Sequence, residues 1–320
     1  MLSRPHTKFR GQSHRSLMTS RPHTKFRGQS QIIDDVKTTY KVRGQSRSLM
    51  MSRPHTSLEV NPQIIDDVKT TIQDQTLISV PAPGGGPVIL SIMNILEGYH
   101  FKSGDKNQTK TVHRILKAFK FGFAQQQELA DPKFESLALN ATSKITVNYW
   151  FGSKIMTDTG ILLNNQMADF ADHDNPDTKN NKLNYIAPGK RPLSNMAPVI
   201  LYNQDSPCKM RLVIGGANGS RIITGVTEVL LNVVSFGLTM ADAISAPRIH
   251  TQLYPSEVEY EEGFPQKVID ELEKMGHKMV KASEGLNEVQ GIKKVNNRIN
   301  AVSDYRKGGK QPFLIQIHNK

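Results

Sequence analysis

Gly215-Gly216-Ala217-Asn218-Gly219-Ser220 is a short glycine-rich stretch followed by apolar residues at helical spacing. Between a strand and a helix, such a loop can aim backbone N–H groups at one point, where they would hold an oxyanion or a phosphate. A second polar cluster, Asn164-Asn165-Gln166-Met167-Ala168-Asp169, carries amides and a carboxylate suited to gripping an amine or amide. An Asx-rich turn is its plainer alternative. Gly84-Gly85-Gly86 lacks a following Lys-Ser/Thr and completes no G-x-G-x-x-G, so it reads as a turn. The ten histidines are scattered and none has the spacing of a metal pair. A single cysteine, Cys208, excludes an internal disulfide and a cysteine cage. No metal and no cofactor are expected.

These groups need elements to hold them. Pro81 to Pro87 forms a rigid turn, with Pro87 suited to a first helical position. Val88, Ile92, Ile95 and Tyr99 then recur at helical spacing, and Gly98 marks the end. A second helix is predicted from Thr111 to Leu129, opening with Thr111-Val112-His113. Ile145–Phe151, Gly160–Asn164, Val199–Tyr202 and Leu212–Gly215 read as strands. Thr224–Phe236 reads as a helix closed by Gly237, and Pro265–Met275 as another before Gly276. Short strands follow near Met279, Val289 and Ala301. Helices and strands in this mixture make an α+β layered domain.

The chain has 320 residues, 22% charged and 37% apolar, as in a globular protein. Its net charge of +12 is not spread evenly, because residues 1–70 hold thirteen Lys or Arg against five Asp or Glu. The basic segment is repetitive: Ser3 to Ser13 recurs unchanged as Ser20 to Ser30, and Gln31 to Thr39 returns as Gln63 to Thr71. These units are shorter than the roughly 20–50 residues of stacking repeats. They also hold few apolar residues, so burial cannot offset chain entropy. Residues 1–62 are therefore expected to be a disordered basic tail, and residues 63–320 a folded domain. No nucleic-acid partner is expected. No stretch reaches the roughly 18 apolar residues of a membrane-spanning helix, and no signal or membrane anchor is recognised.

Several stretches together carry a family resemblance. They are Pro188-Gly189-Lys190-Arg191-Pro192-Leu193-Ser194-Asn195-Met196-Ala197-Pro198, Gly160 to Phe170, Gly219-Ser220-Arg221-Ile222-Ile223-Thr224, Ala246-Pro247-Arg248-Ile249-His250 and Ser303 to Gly309. With His113-Arg114-Ile115, Ala130 to Phe134 and Thr146 to Ser153, they resemble the γ-glutamyltransferase (glutathione hydrolase) family over about residues 63–316. The resemblance divides the domain into an end of a large-subunit-like part, 63–145, and a small-subunit-like part, 146–320. It implies an αββα sandwich of the N-terminal-nucleophile hydrolase type, in which self-cleavage frees a threonine. That threonine attacks the γ-glutamyl amide, and its own α-amino group, with a pKa of about 7.7–8.0, serves as base. By position, Asn218 and Gly219 would form the oxyanion loop and Thr146 would support the nucleophile. Asn148 would bind the donor, Gln166 and Asp169 its α-ammonium, and Ser194 with Asn195 its α-carboxylate. Glutathione or other γ-glutamyl compounds are the implied partners, and the extracellular face of the plasma membrane the implied location.

The sequence also departs from that family. Asn218 stands where the family has glycine, and Asn195 replaces a second serine. The part of the family that carries a carboxylate-binding arginine has no match here. Only residues 135–145 separate Phe134 from Thr146. There the family places its self-cleavage site and the Thr-x-His strand that begins with the nucleophile. Thr111-Val112-His113 has the right letters, but it opens a helix. No catalytic nucleophile is identified. The fold is expected to be incomplete and the chain inactive in glutathione hydrolysis. The alternative is a non-catalytic γ-glutamyl-binding or interaction protein, or a truncated product.

Overall fold

In the computed structural model the chain separates into two units, Met1–Pro62 and Gln63–Lys320. The structure describes residues 39–42, 45–48, 67–132, 152–175, 178–203, 205, 210–296, 298–308 and 313–316. In the first unit, read above as a disordered tail, strands β1 (Thr39–Val42) and β2 (Gln45–Ser48) pair as an antiparallel hairpin. The rest of that unit lies outside the described residues, as does the predicted strand Ile145–Phe151.

The second unit begins with a hairpin that the sequence patterning missed. The second copy of the repeated nonamer supplies most of β3 (Val68–Ile72), which pairs with β4 (Gln75–Ser79). Gln73 and Asp74 turn the chain with φ of +46° and +61°. Two successive positive φ values suit the twist of a two-residue hairpin, although glycine or asparagine is the usual choice there. Helix α1 (Gly86–Glu97) follows, with Pro87 in its first turn, where no donor is lost. Helix α2 (Thr109–Gln126) packs Ile115, Leu116 and Phe119 into the core beside Val88, Ile92 and Met93 of α1. Strands β5 (Val199–Tyr202) and β6 (Met210–Ala217) come next. They are followed by α3 (Arg221–Val234), the short α4 (Met240–Ser245), β7 (Ile249–Thr251) and β8 (Val258–Tyr260). Helix α5 (Gln266–Lys274), β9 (Met279–Lys281), β10 (Glu288–Val295), β11 (Arg298–Val302) and β12 (Phe313–Gln316) complete the unit.

Seven strands form one antiparallel sheet in the order β12-β11-β10-β6-β5-β4-β3. Its inward residues Leu77, Val199, Leu201, Leu212, Ile214 and Val289 are fully buried, facing α1, α3 and α4. Strands β7, β8 and β9 make a smaller sheet on the helical side, where β7 meets α2 and α3. β8 and β9 are parallel, so the chain must cross over between them, and amphipathic α5 is that crossover.

The predicted strand Gly160–Asn164 is not a ladder strand. Met156 and Leu162 form an isolated bridge, and Gly160 turns the chain with φ of +82°. Among the described residues its backbone bonds run back to upstream neighbours, Leu163 N–H donating to the Ile155 carbonyl at 2.9 Å. A β-like pattern becomes a sheet strand only where a neighbouring strand is available.

Candidate functional site

Strand direction and register gather several of the sequence-predicted groups at one end of the seven-stranded sheet. β4 ends at Ser79, opposite Val199 at the start of β5. Val199 in turn lies opposite Ile214, near the end of β6, and Ala217 faces Glu288 at the start of β10. The loops after β4, before β5, after β6 and before β10 therefore emerge side by side. They carry Pro81–Gly86, Ser194 and Asn195, Asn218 and Gly219, and Leu286 with Asn287.

Hydrogen bonds fix the first two loops to each other. Ser194 N–H donates to the Pro83 carbonyl at 2.7 Å, and Gly85 N–H to the Met196 carbonyl at 2.9 Å. Ser194 Oγ accepts from Met196 N–H at 3.1 Å, and Asn195 Oδ1 accepts from Gln126 Nε2 at 2.9 Å. Upstream, Asp131 is fully buried and grips Arg191 three ways: backbone N–H at 2.8 Å, Nε at 3.1 Å and Nη2 at 2.8 Å. Asn184 then joins the second predicted cluster to this loop. Its Nδ2 donates to the Asp169 carbonyl at 2.8 Å, while its Oδ1 accepts from Leu193 N–H at 2.9 Å. Gln166 and Asp169 are thereby set close to Ser194. They occupy a 3-10 turn (Gln166–Asp169) rather than a strand end, with Gln166 Nε2 donating to the Asp169 carboxylate.

The glycine-rich loop has the predicted strand-to-helix position. Asn218 and Gly219 have φ of +93° and +58°, and α3 starts two residues later. Consecutive positive φ values turn successive N–H groups toward one concavity, an anion-binding shape. Asparagine tolerates this region better than most residues. Here its side chain is also tied down, Asn218 Nδ2 donating to the Leu286 carbonyl at 2.8 Å. Thr146 and Asn148 lie outside the described residues. Thr111 sits buried inside the first turns of α2.

Beneath the loop is a group that sequence reasoning left without a role. Arg248, 1% exposed, donates through Nη2 to Asp304 Oδ2 at 2.8 Å and to the Ile244 carbonyl at 2.7 Å. Its Nη1 reaches the Asn287 carbonyl at 2.8 Å and Oδ1 at 2.6 Å. Arg306 pairs with Glu261 at 2.5 Å and with Asp304 at 3.1 Å. Glu261 Oε1 accepts from Leu286 N–H at 2.9 Å, and Asp304 Oδ2 from Val289 N–H at 2.9 Å. Four charged side chains thus clamp residues 286–289, and that segment holds Asn218. Gly225 of α3 is tight against the same clamp, since a Cβ there would fall within van der Waals distance of the Asn287 amide. Gly225→Ala is expected to lower stability by about 1–3 kcal/mol, because Arg248 prevents Asn287 from yielding. Urea denaturation checks this, and an unchanged midpoint would contradict the clamp.

Glu228, His250 and His277 are each displaced from their ordinary values. Burial pushes Glu228 up to about 8, opposed by the Ile249 N–H bond and by Arg248. Its Oε1 accepts that N–H at 3.0 Å, while Oε2 makes no hydrogen bond among the described residues. Burial also holds His250 down to about 4, with Thr224 Oγ1 at 2.9 Å from its Nδ1. His113 Nδ1 lies 2.8 Å from His277 Nε2, and His277 is held down to about 4 by burial, then by His113, Lys117 and Lys120. Among the described residues, no three His, Cys, Asp or Glu side chains form a metal-holding group. No helix among them is long and apolar enough to cross a membrane.

Comparison with known proteins matches the family described as Gamma-glutamyltranspeptidase to residues 59–145 and 139–313. The chain is 32% identical over 297 residues to scoloptoxin SSD14 of Scolopendra dehaani, covering 73% of this chain and 51% of that protein. It is 30% identical over 283 residues to the glutathione hydrolase proenzyme of Arthroderma benhamiae, covering 70% and 48%. Among solved structures, cephalosporin acylase from Bacillus halodurans superimposes with a TM-score of 0.62 at 19% identity, covering 80% of this chain and 54% of that one. At that identity the likeness concerns the fold alone, a layered arrangement of mixed helices and strands. The chain spans about half the length of the curated relatives it matches.

Proposed function

The chain belongs to the gamma-glutamyltranspeptidase family, and from that premise we propose that it recognises γ-glutamyl compounds without cleaving itself or turning them over. The observation that carries this reading is the short join between Phe134 and Thr146. The two family matches overlap at residues 139–145, so no residues stand between them. The match to scoloptoxin SSD14 supports the same reading. It runs over 297 positions but takes in 73% of 320 residues, leaving about 60 positions of the relative without a counterpart. A strand that opens with a freed threonine has no room in that join.

The recognition half rests on the convergence at the sheet end. Asp169 and Gln166 present a carboxylate and an amide oxygen to an α-ammonium. Ser194 Oγ–H and Asn195 Nδ2 present donors to an α-carboxylate. The N–H groups of Asn218 and Gly219, at the start of α3, face the γ-carbonyl oxygen. Without the threonine no group on this list supplies a nucleophile with an adjacent base, so binding ends in release of the intact amide.

Purified protein is expected to remain one chain near 35.8 kDa by intact mass. It should release no product from a γ-glutamyl anilide, while calorimetric titration with glutathione gives a weak binding isotherm. Two fragments, the second beginning with threonine, would sink the claim of silence. A flat titration would sink the claim of recognition.

A further inference from the structure

Asn195 stands where the family pattern has a serine, and the exchange creates a requirement that serine does not have. A serine hydroxyl rotates and donates wherever an acceptor waits. An asparagine amide has a donor end and an acceptor end of nearly the same shape, so its neighbours decide which end faces the site. The backbone on both sides of Asn195 is fixed. Ser194 N–H is bonded to the Pro83 carbonyl, and the Met196 carbonyl to Gly85 N–H. The loops are so close that a Cβ on Gly85 would lie 3.1 Å from the Asn195 carbonyl oxygen. What is left open is the half-turn of the side chain that exchanges Oδ1 and Nδ2.

Among the described residues, Gln126 makes that choice. It is the last residue of α2, 9% exposed, and its Nε2 donates to Asn195 Oδ1 at 2.9 Å. Its own placement is rigid. Phe119 and Phe123 hold α2 in the core. Gly122, one turn before Gln126, lies so close to α1 that a Cβ there would stand 2.5 Å from the Ile92 side chain. The helix therefore cannot slide to release the bond.

We infer that Gln126 is a positioning residue for the ligand's α-carboxylate: by occupying Asn195 Oδ1 it turns Asn195 Nδ2 to the site and makes the subsite select a carboxylate over a carboxamide. This rests on the recognition reading above, which sets the α-carboxylate against Ser194 and Asn195. A carboxylate only accepts hydrogen bonds, so a donor facing it makes a charge-assisted bond. With the amide turned over, an oxygen would face an anion and repel it. A ligand bearing a carboxamide there brings donors of its own and would suit the turned-over arrangement.

Gln126→Glu tests this, because an ionised carboxylate of nearly the same shape accepts and cannot donate. Asn195 should then turn over and give its Nδ2 to that carboxylate. Calorimetric titration at pH 8 compares glutathione with the analogue whose glutamyl α-carboxylate is a carboxamide. The parent should bind glutathione about tenfold or more tighter than the analogue, and Gln126→Glu should reverse the order. Gln125→Glu places the same charge one residue away, where the side chain faces Ser91 instead. It should keep the parent order, which separates orientation from the effect of added charge. Gln126→Met, which frees the amide without adding charge, should narrow the preference without reversing it. Nitrogen-15 NMR supplies a readout that needs no ligand. The Asn195 side-chain amide protons should exchange with water in the parent and be protected in Gln126→Glu. Protected protons in the ligand-free parent overturn the inference whether or not glutathione binds. So does glutathione binding whose order Gln126→Glu leaves unchanged, or whose order Gln125→Glu reverses equally. A parent that binds neither ligand sinks the recognition reading and this inference with it.

Discussion

Asp304→Ala is expected to lose about 3–5 kcal/mol of folding stability, the penalty for stranding a buried charge. Asp304 is fully buried, and its two oxygens hold Arg248, Arg306, Arg306 N–H and Val289 N–H. Alanine leaves the Arg248 guanidinium, itself inaccessible, with one carbonyl partner from Ile244 and two acceptors on Asn287 but no counter-charge. A domain of this kind has a total stability of about 5–15 kcal/mol, so the variant should unfold well below the parent midpoint or fail to accumulate. Replacing both partners with apolar residues of similar size should be much milder, because no charge is then left alone. Urea unfolding of the single and double variants distinguishes the cases. An Asp304→Ala loss below about 1 kcal/mol would show that the cluster is relaxed by solvent rather than clamped.

Stability should peak near pH 6.5 and fall on both sides. The acidic limb comes from His250 and His277, both held down to about 4. Below 6.5 the unfolded chain takes up protons on His250 and His277 that the folded chain refuses, and His113, also lowered by burial and Lys117, acts in the same sense, so acid favours unfolding. Glu228, pushed up to about 8, acts in the opposite sense. Between 4.5 and 8 the folded chain keeps a proton on Glu228 that the unfolded chain releases, so stability is lost as pH rises through that window. Below pH 6.5 the two histidines outweigh the one glutamate. Above 6.5 the glutamate acts alone. Glu228→Gln removes the alkaline limb and should turn the peak into a plateau above pH 6.5. A parent protein whose denaturation midpoint is flat from pH 5 to 8, or a Glu228→Gln profile that still declines above 6.5, would refute this account.

Helix ends were legible in the sequence because local covalent geometry sets them. Pro87 opens α1 and Gly98 follows its end, while Gly276 closes the segment that Pro265 starts. The loops bearing Ser194 and Asn218 were legible for the same reason, since glycines and asparagine at fixed spacing set a backbone shape whatever surrounds it. The same string, however, gave β-like periodicity to Gly160–Asn164, which joins no sheet among the described residues, and no glycine signal to the Gln73-Asp74 turn. Arg248, Glu261, Asp304 and Arg306 were visible only as separate stretches of sequence. Tertiary structure alone decided that they share one buried site, that the site clamps residues 286–289, and that this clamp carries the Asn218 loop. It also decided that Asn184 bridges the Asp169 turn to the Ser194 loop, and that Leu201 is buried while Ile200 is left open. The physical reason is common to all of these. A turn or cap is determined by interactions within a few residues, which leave a local pattern. An ion pair, a strand partner or a covered face depends on residues tens of positions away, and their energy exists only once the chain has brought them together and excluded water.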